Sequence, residues 1–365
     1  MLDLTKYDQV FILTDEQVAT CCLLAFGKWS APMPLGDIIA LTTSALPPNE
    51  TFSGAPINGI LVLPTGEEHK NLSSVQRIWD FLLAHNATRA SLLINIGGGV
   101  ICDMGGFAAA TYKRGIDFVN IPTTLLAMVD AGTGGKTGID YGTLKNAIGI
   151  FAEPVETIIE PRFLATLPPE QLLSGYAEMI KHALLQSAQA VGELMDYDLR
   201  RTSSPEFGEL IRQSVAFKQS IVNQDPHDRG IRQSLNLGHT IGHAIEALGL
   251  EKSKCRNGKW SNGKCLHGYC VMYGLVAEAY LSHVLCGLPA EVVSTLSRFM
   301  MENYGAAPIT CNDYDRLFEL MLQDKKNREQ GTITCTLLSS IGQPVLGQTI
   351  SPTLLREAIE YLCSL

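Results

Sequence analysis

Two imidazoles stand four residues apart in Gly238-His239-Thr240-Ile241-Gly242-His243-Ala244-Ile245-Glu246. On a helix that spacing sets both rings on one face, a turn apart, with Glu246 following on the same face. Imidazoles so placed can share one zinc ion, and a catalytic zinc takes three protein ligands and keeps a further position open. Two other residues have suitable chemistry. His267 opens a later helix-like stretch, and Glu178 is a carboxylate inside an apolar helical run, with Lys181 three residues on. A buried carboxylate needs a partner, and a metal or a lysine serves. The spacing leaves open which three of Glu178, His239, His243 and His267 ligate.

A second constellation lies in the first half of the chain. Ile94-Asn95-Ile96-Gly97-Gly98-Gly99-Val100-Ile101-Cys102-Asp103 is an apolar strand running through three glycines into a helix. Glycines let the backbone approach a ligand closely, and a helix start presents free N–H groups and a positive dipole end to a phosphate. The run is not Gly-x-Gly-x-x-Gly, so alone it is a modest nucleotide signal. Polar residues at other strand ends add to it. Asp15 after Ile12-Leu13-Thr14 suits a ribose hydroxyl, and Thr123-Thr124 after Ile121-Pro122 suit a phosphate. Gly66-Glu67-Glu68-His69-Lys70 follows Leu61-Val62-Leu63-Pro64 in the same way.

Lysine ordinarily keeps to solvated faces. Lys136 in Gly134-Gly135-Lys136-Thr137-Gly138 and Lys145 in Leu144-Lys145-Asn146-Ala147 lie instead in glycine-rich or apolar settings. So do Lys181, Lys218 after Val215-Ala216-Phe217, and Arg232 before Leu235-Asn236-Leu237. In a chain with 28 basic against 37 acidic residues, net −9, such cations point to a pocket for an anion. Asp130, six residues before Lys136, supplies a counter-charge.

These residues need elements to position them. Short β-rich runs at 10–13, 38–41, 60–63, 92–96 and 118–121 alternate with helix-like stretches at 16–29, 72–84 and 100–110. That alternation is the pattern of βαβ units on a parallel sheet, and the near-continuous apolar runs suit strands covered on both faces. Ligands then sit at the carboxyl ends of the strands, where the glycine turn falls. Beyond Ile158-Ile159 the periodicity becomes helical, at 169–186, 207–223, 240–248, 268–285, 292–304 and 353–362, with one late strand candidate at 332–337. The expected division is an α/β Rossmann-like nucleotide-binding domain over 1–160 and an all-α domain over 161–365.

Length and composition narrow the function classes. With 365 residues, 46% apolar and 18% charged, the chain is neither disordered nor collagen-like and has room for about two cores. An acidic balance without a basic block does not suit a nucleic-acid partner. No run of about 18 uninterrupted apolar residues suggests a membrane span, and Met1-Leu2-Asp3-Leu4-Thr5-Lys6 lacks a secretory layout. The ten cysteines are scattered through apolar stretches, as expected of buried free thiols in a cytoplasmic protein. Cys255, Cys265, His267 and Cys270 lack the paired Cys-x-x-Cys knuckles of a zinc ribbon.

Taken together the motifs resemble those of the 3-dehydroquinate synthase family, within the sugar phosphate cyclases. The resemblance runs from about Asp15 to Asp324-Lys325-Lys326-Asn327. It rests on Gly97 to Asp103, Pro122-Thr123-Thr124 through Asp130 to Gly138, Lys145-Asn146, Ala177-Glu178 to Lys181-His182, and Leu237-Gly238-His239 to Ala244. It implies an NAD domain, a helical domain holding one zinc or cobalt ion, an active site between them, and a homodimer. The implied reaction turns 3-deoxy-D-arabino-heptulosonate 7-phosphate into 3-dehydroquinate and phosphate by transient oxidation, phosphate β-elimination, re-reduction and intramolecular aldol closure.

By the same resemblance Glu178, His239 and His267 are the metal ligands and His243 a substrate neighbour. Asp130, Lys136, Asn146, Lys181, Lys218 and Arg232 match positions that hold the substrate, with Lys325 or Lys326 reaching its phosphate. Asp15, Glu67, Lys70, Gly98, Gly99, Val100, Asp103, Thr123, Thr124, Lys136 and Lys145 match NAD contacts, as does Phe163-Leu164-Ala165-Thr166.

The chain departs from the pattern in three places. Many family members have Glu two residues after the third ligand, where this chain has Tyr269, so the resemblance does not supply the group that orients His267. Gln17 stands where an Asn is common near the adenosine. Residues 254–264, with two Asn-Gly turns and four basic residues, form an insertion expected to be an exposed loop or hairpin at the rim of the cleft. The rival readings are another sugar phosphate cyclase, a metal-dependent alcohol or polyol dehydrogenase, and an inactive NAD- or metal-binding protein. The match of Asn146, Lys218 and Arg232 to the carboxylate-binding pattern favours the synthase over the other cyclases.

Overall fold

The structure, a computed structural model, describes residues 3–23, 57–142, 144–255, 266–322 and 332–365. They fall into two compact units, Met1–Leu167 with Thr202–Gly208, and Pro168–Arg201 with Glu209–Leu365.

The strands of the first unit are β1 (Val10–Asp15), β2 (Ile57–Leu63), β3 (Leu92–Gly97), β4 (Asp117–Pro122), β5 (Lys136–Tyr141), β6 (Leu144–Phe151) and β7 (Glu156–Thr157). Five of them make a wholly parallel sheet in the order β2-β1-β3-β4-β7. Every residue of β1 and β3 is buried, which accounts for their unbroken apolar sequences, whereas edge strand β2 is half-exposed. Helices α1 (Leu72–Ala84) and α2 (Gly99–Thr111) are packed on this sheet. Val75, Ile78 and Leu82 of α1 and Met104, Phe107 and Ala108 of α2 share a core with Phe11, Leu13 and Leu93. Each fully buried Leu, Ile or Phe contributes about 2 kcal/mol of apolar transfer. The strand order reverses direction between β1 and β3. The crevice at such a switch point opens beside Asp15 and Gly97, the last residues of those strands.

Two expectations are revised. Of the helix-like stretch at 16–29, Glu16–Val18 forms a single α turn and Ala19–Leu23 a π turn, and the rest lies outside the described residues, as does the strand expected at 38–41. A strand that the sequence reading does not expect, β5, begins at Lys136 after the turn at 132–135 and pairs antiparallel with β6. Gly138 stands opposite Gly149, and a Cβ on Gly138 would lie 2.6 Å from the carbonyl oxygen of Ile148. The glycines that hid the strand from a periodicity reading are what let the ladder close.

In the second unit the helices are α3 (Pro169–Gln186), α4 (Ala188–Met195), α5 (Pro205–Gln224), α6 (His239–Cys255), α7 (His267–Cys286), α8 (Ala290–Asn303), α9 (Tyr314–Leu322) and α10 (Pro352–Ser364). Helix α7 is its axis, touching α3, α6, α8 and α10. It is also long and apolar enough to cross a membrane, but 72% of its apolar window is buried within the protein. Among the described residues the unit is helical apart from one hairpin, β8 (Ile333–Ser340) with β9 (Gln343–Ile350). The sequence marks β8 but not β9, where Pro344 and Gly347 break the apolar alternation.

Seven cysteines are seen to be free: Cys102, Cys270 and Cys335 are buried, Cys286 is half-buried, and Cys21, Cys311 and Cys363 are exposed. Burial is thus less uniform than expected, because Cys311 and Cys363 fall at the ends of short elements. The insertion at 254–264, apart from the last turn of α6, and Cys265 lie outside the described residues.

Candidate metal centre and nucleotide site

Helices α3, α6 and α7 each bring one residue to a group that could hold a metal ion. Glu178 is fully buried in mid-α3, His239 begins α6 and His267 begins α7. His239 Nε2 lies 3.5 Å and His267 Nε2 3.3 Å from Glu178 Oε1. One ligand atom from each of the three lies within 4.8 Å of the others. The remaining ring nitrogens are already engaged. His239 Nδ1 donates to the Leu237 carbonyl at 3.0 Å, and His267 Nδ1 donates to Glu246 Oε2 at 3.1 Å. With Nδ1 protonated, each Nε2 keeps its lone pair for an ion.

The donor set fits a divalent metal. Both oxygens of Glu178 are buried, and the two imidazole nitrogens face one of them. Their charge is matched by Lys181, itself buried one turn away on α3. Burial works against the Glu178 carboxylate, but Lys181 and then His239 outweigh it and hold its pKa well below the usual range. Burial likewise opposes an imidazolium at His267, yet Glu246 and Glu178 push its pKa up to about 10. The ring of His243 is 5.1 Å from that of His239 and 5.8 Å from that of His267. All four residues left open by spacing therefore converge. His243, Glu246 and His267 form an alternative group, but there the Nδ1 of His267 is already bound to Glu246.

Of the cations, Lys181, Lys218 and Arg232 are buried as expected. Arg232 lies in the 3-10 segment Ile231–Asn236 that leads into α6, where its guanidinium donates to the Pro226 carbonyl at 2.9 Å. Lys136 and Lys145 are exposed, contrary to their apolar settings, because both sit on the β5–β6 hairpin, whose β6 strand is exposed throughout. Lys325 and Lys326 lie outside the described residues.

In the first unit, Gly97, Gly98 and Gly99 carry the chain from β3 into α2. Gly98 is the N-cap and offers no side chain to the free N–H groups of that helix. A Cβ on Gly98 would meet Thr124 Cγ2 at 3.2 Å, and one on Gly99 would meet Ala131 Cβ at 3.0 Å. The Thr123 N–H donates to the Gly97 carbonyl at 2.9 Å, so the ends of β3 and β4 are joined and Thr123-Thr124 stand beside the glycine turn. Val100 instead leans on the core. Asp15 accepts from the Val18 N–H and the Thr65 hydroxyl, each at 2.9 Å. Asp130 lies in the helical turn Ala127–Ala131 that follows Thr124, half-buried. Phe163 and Leu164 are buried, while Ala165 and Thr166 are exposed, in a 3-10 segment packed beside Ala19–Leu23.

Five of the expected residues, Lys70, Asp103, Asn146, Lys145 and Glu67, are linked by hydrogen bonds and ion pairs. Lys70 is buried and its Nζ donates to Asp103 Oδ2 at 2.5 Å and to Asn146 Oδ1 at 2.6 Å. Lys145 pairs with Glu67 at 3.4 Å. Asp140, which the sequence reading missed, accepts from the Asn146 N–H at 2.7 Å, while its own N–H donates to the Lys70 carbonyl at 2.9 Å. Burial disfavours the ammonium of Lys70, but Asp103 and Glu67 raise its pKa overall. Replacing Lys70 by Ala strands Asp103 without its counter-charge. A loss of about 3–5 kcal/mol in urea unfolding is expected, as for other broken buried pairs; a loss below about 1 kcal/mol would contradict this account.

A second missed residue is Glu278, fully buried in α7. Its carboxylate accepts from the N–H groups of Gly238 at 2.6 Å, Thr240 at 3.0 Å and Ile241 at 3.2 Å, fastening the start of α6 where His239 sits. A lone carboxylate in an apolar helix is the same signal that marks Glu178. Glu278→Ala leaves three buried donors without their acceptor, at about 1–3 kcal/mol each before relaxation. The midpoint of denaturant unfolding should fall sharply, and an unchanged midpoint would refute the role.

Comparison with known proteins gives the family and the fold. Residues 60–174 match the 3-dehydroquinate synthase N-terminal family model and residues 175–327 the C-terminal one. The chain is 43% identical over 356 residues to a 3-dehydroquinate synthase of Parabacteroides distasonis, covering 98% of this chain and 92% of that one. Among solved structures, it is similar in fold to ValA, a 2-epi-5-epi-valiolone synthase of Streptomyces hygroscopicus with NAD+ and Zn2+ bound. The TM-score is 0.76 at 22% identity, covering 98% of this chain and 92% of that one. A 2-deoxy-scyllo-inosose synthase complexed with carbaglucose-6-phosphate, NAD+ and Co2+ gives a TM-score of 0.73 at 24% identity, covering 98% and 91%.

Proposed function

The chain belongs to the 3-dehydroquinate synthase family, and from that membership we propose that it is a lyase-class cyclase converting 3-deoxy-D-arabino-heptulosonate 7-phosphate to 3-dehydroquinate and phosphate. The observation that carries the reading is the buried carboxylate of Glu178 with two imidazole Nε2 atoms facing one of its oxygens. Glu178, His239 and His267 would hold one zinc or cobalt ion, which softness and ligand type do not separate at such a site. NAD would lie at the β1–β3 switch point, with its phosphates at Gly98, Gly99 and the start of α2 and a ribose at Asp15. When bound, the ion supplies a Lewis acid for a secondary alcohol and the nicotinamide takes and returns a hydride.

The chain's own residues do the rest. Lys181 offsets the charge of Glu178, so one carboxylate does not cancel the field of a divalent ion. Buried Lys218 and Arg232 supply fixed positive charge, and a doubly anionic sugar acid phosphate is what makes buried cations worth their desolvation. Lys136, Asn146 and Asp130 bind and orient substrate hydroxyls. His243, packed against both ligand rings, is placed to hold or move a proton on the substrate's oxygens. The reading carries with it a homodimer in the cytoplasm.

Phosphate release from the heptulosonate phosphate tests it. Release should require NAD, stop with a chelator, and leave no accumulated NADH. One NADH formed per turnover would make the protein a dehydrogenase instead, and no release under any condition would sink the reading.

A further inference from the structure

A ligating imidazole works only if its second nitrogen is held, because that bond fixes both the tautomer and the ring orientation. For His239 the holder is the backbone carbonyl of Leu237. The side chain two residues beyond His267, Tyr269, does not do this for His267. It is buried with its ring against Tyr304, the centroids 5.0 Å apart at 72°. The group that meets His267 Nδ1 is Glu246, two turns into α6 from His239.

We propose that Glu246 is the positioning residue of the metal centre: it holds His267 with Nδ1 protonated and Nε2 turned toward Glu178. The assignment rests on the reading of Glu178, His239 and His267 as ligands. Glu246 is itself 5% exposed, and its Oε2 lies 3.1 Å from His267 Nδ1, whereas His267 Nε2 lies 3.3 Å from Glu178. The two nitrogens of one ring thus address two carboxylates on different helices. Glu246 also sits on α6, the helix that begins with His239, so one rigid element places one ligand and orients another. That arrangement makes a carboxylate–histidine–metal relay, in which the outer carboxylate raises the basicity of the ligand.

The test compares zinc and cobalt affinity, by competition with a chromophoric chelator, in the wild type, His267→Ala, Glu246→Ala and Glu246→Gln. The visible spectrum of the cobalt-loaded proteins is recorded alongside. Glu246→Ala is expected to bind ion about 10- to 100-fold more weakly with a shifted cobalt spectrum. Glu246→Gln, whose amide oxygen can still accept from Nδ1 but carries no charge, should recover part of that loss and keep a measurable deficit in affinity and a smaller spectral shift, which bears out the role even if the alanine variant does not fold. A merely structural Glu246 would lower thermal stability and leave affinity and spectrum unchanged in the folded glutamine and alanine variants, which overturns the proposal. Loss of metal in Glu246→Gln as complete as in His267→Ala would make Glu246 a ligand and overturn it too. If His267→Ala retains wild-type affinity, the ligand assignment fails first, so the two failures are distinguishable.

Discussion

Glu178→Gln is expected to lower turnover by about a thousandfold and to leave the purified protein with little bound metal. Glutamine fills the same volume, so the packing of α3 changes little and the loss reports on charge. A Lewis-acid ion supplies several kcal/mol of transition-state stabilisation, and about 4 kcal/mol corresponds to roughly three decades in rate. The substitution has a second consequence. Lys181 is 1% exposed and has Glu178 as its ion-pair partner. Removing the charge strands that ammonium, which should cost about 3–5 kcal/mol in unfolding. Metal content by mass spectrometry, steady-state kinetics and denaturant melts read the three effects separately. A glutamine variant that keeps one ion and wild-type turnover would remove Glu178 from the site.

Gly268→Ala should be nearly as damaging although no functional group is lost. Gly268 follows His267 at the start of α7, and a Cβ there would lie 1.8 Å from the carbonyl oxygen of Ser174 on α3. Both partners are backbone, so no side chain can swing aside, and the helices must part. The Ser174 hydroxyl also accepts from the Gly268 N–H at 3.1 Å, a bond that this separation would break. His267 travels with α7 and Glu178 with α3, so the methyl group pulls two of the proposed ligands apart. Overpacking of this kind costs about 1–3 kcal/mol or more, and ion affinity should fall with it. Gly192→Ala is the control: a Cβ there meets nothing within 4 Å, and as a mid-helix position on α4 it should stabilise by up to about 1 kcal/mol. Equal behaviour of the two variants would refute the steric coupling of helix packing to ligand geometry.

What the sequence discloses depends on whether a signal is local. The His-x-x-x-His spacing is a helical period, so His239 and His243 are legible as neighbours, and the apolar runs of β1 and β3 announce a covered parallel sheet. Lys181 and Glu178 stand out as charges in an apolar helix, and both are buried. Glu278 carries the same mark in α7 but was passed over, since its partners at Gly238, Thr240 and Ile241 are contributed by another helix. Glu246 was legible as a residue on the histidine face, yet its bond to His267 spans 21 positions and no spacing rule reaches that far. Hairpin β5–β6 was hidden for the opposite reason. Its glycines interrupt the apolar alternation that marks a strand, and only the tertiary ladder shows them pressed together, with Lys136 and Lys145 exposed.

Anomalous diffraction at the zinc or cobalt edge, from crystals grown with NAD and the metal, measures the central claim most directly. The expected result is one strong peak within about 2.0–2.2 Å of a Glu178 carboxylate oxygen and of the Nε2 atoms of His239 and His267. A peak seated instead on His243, Glu246 and His267, or an active enzyme with no metal peak near Glu178, would contradict it.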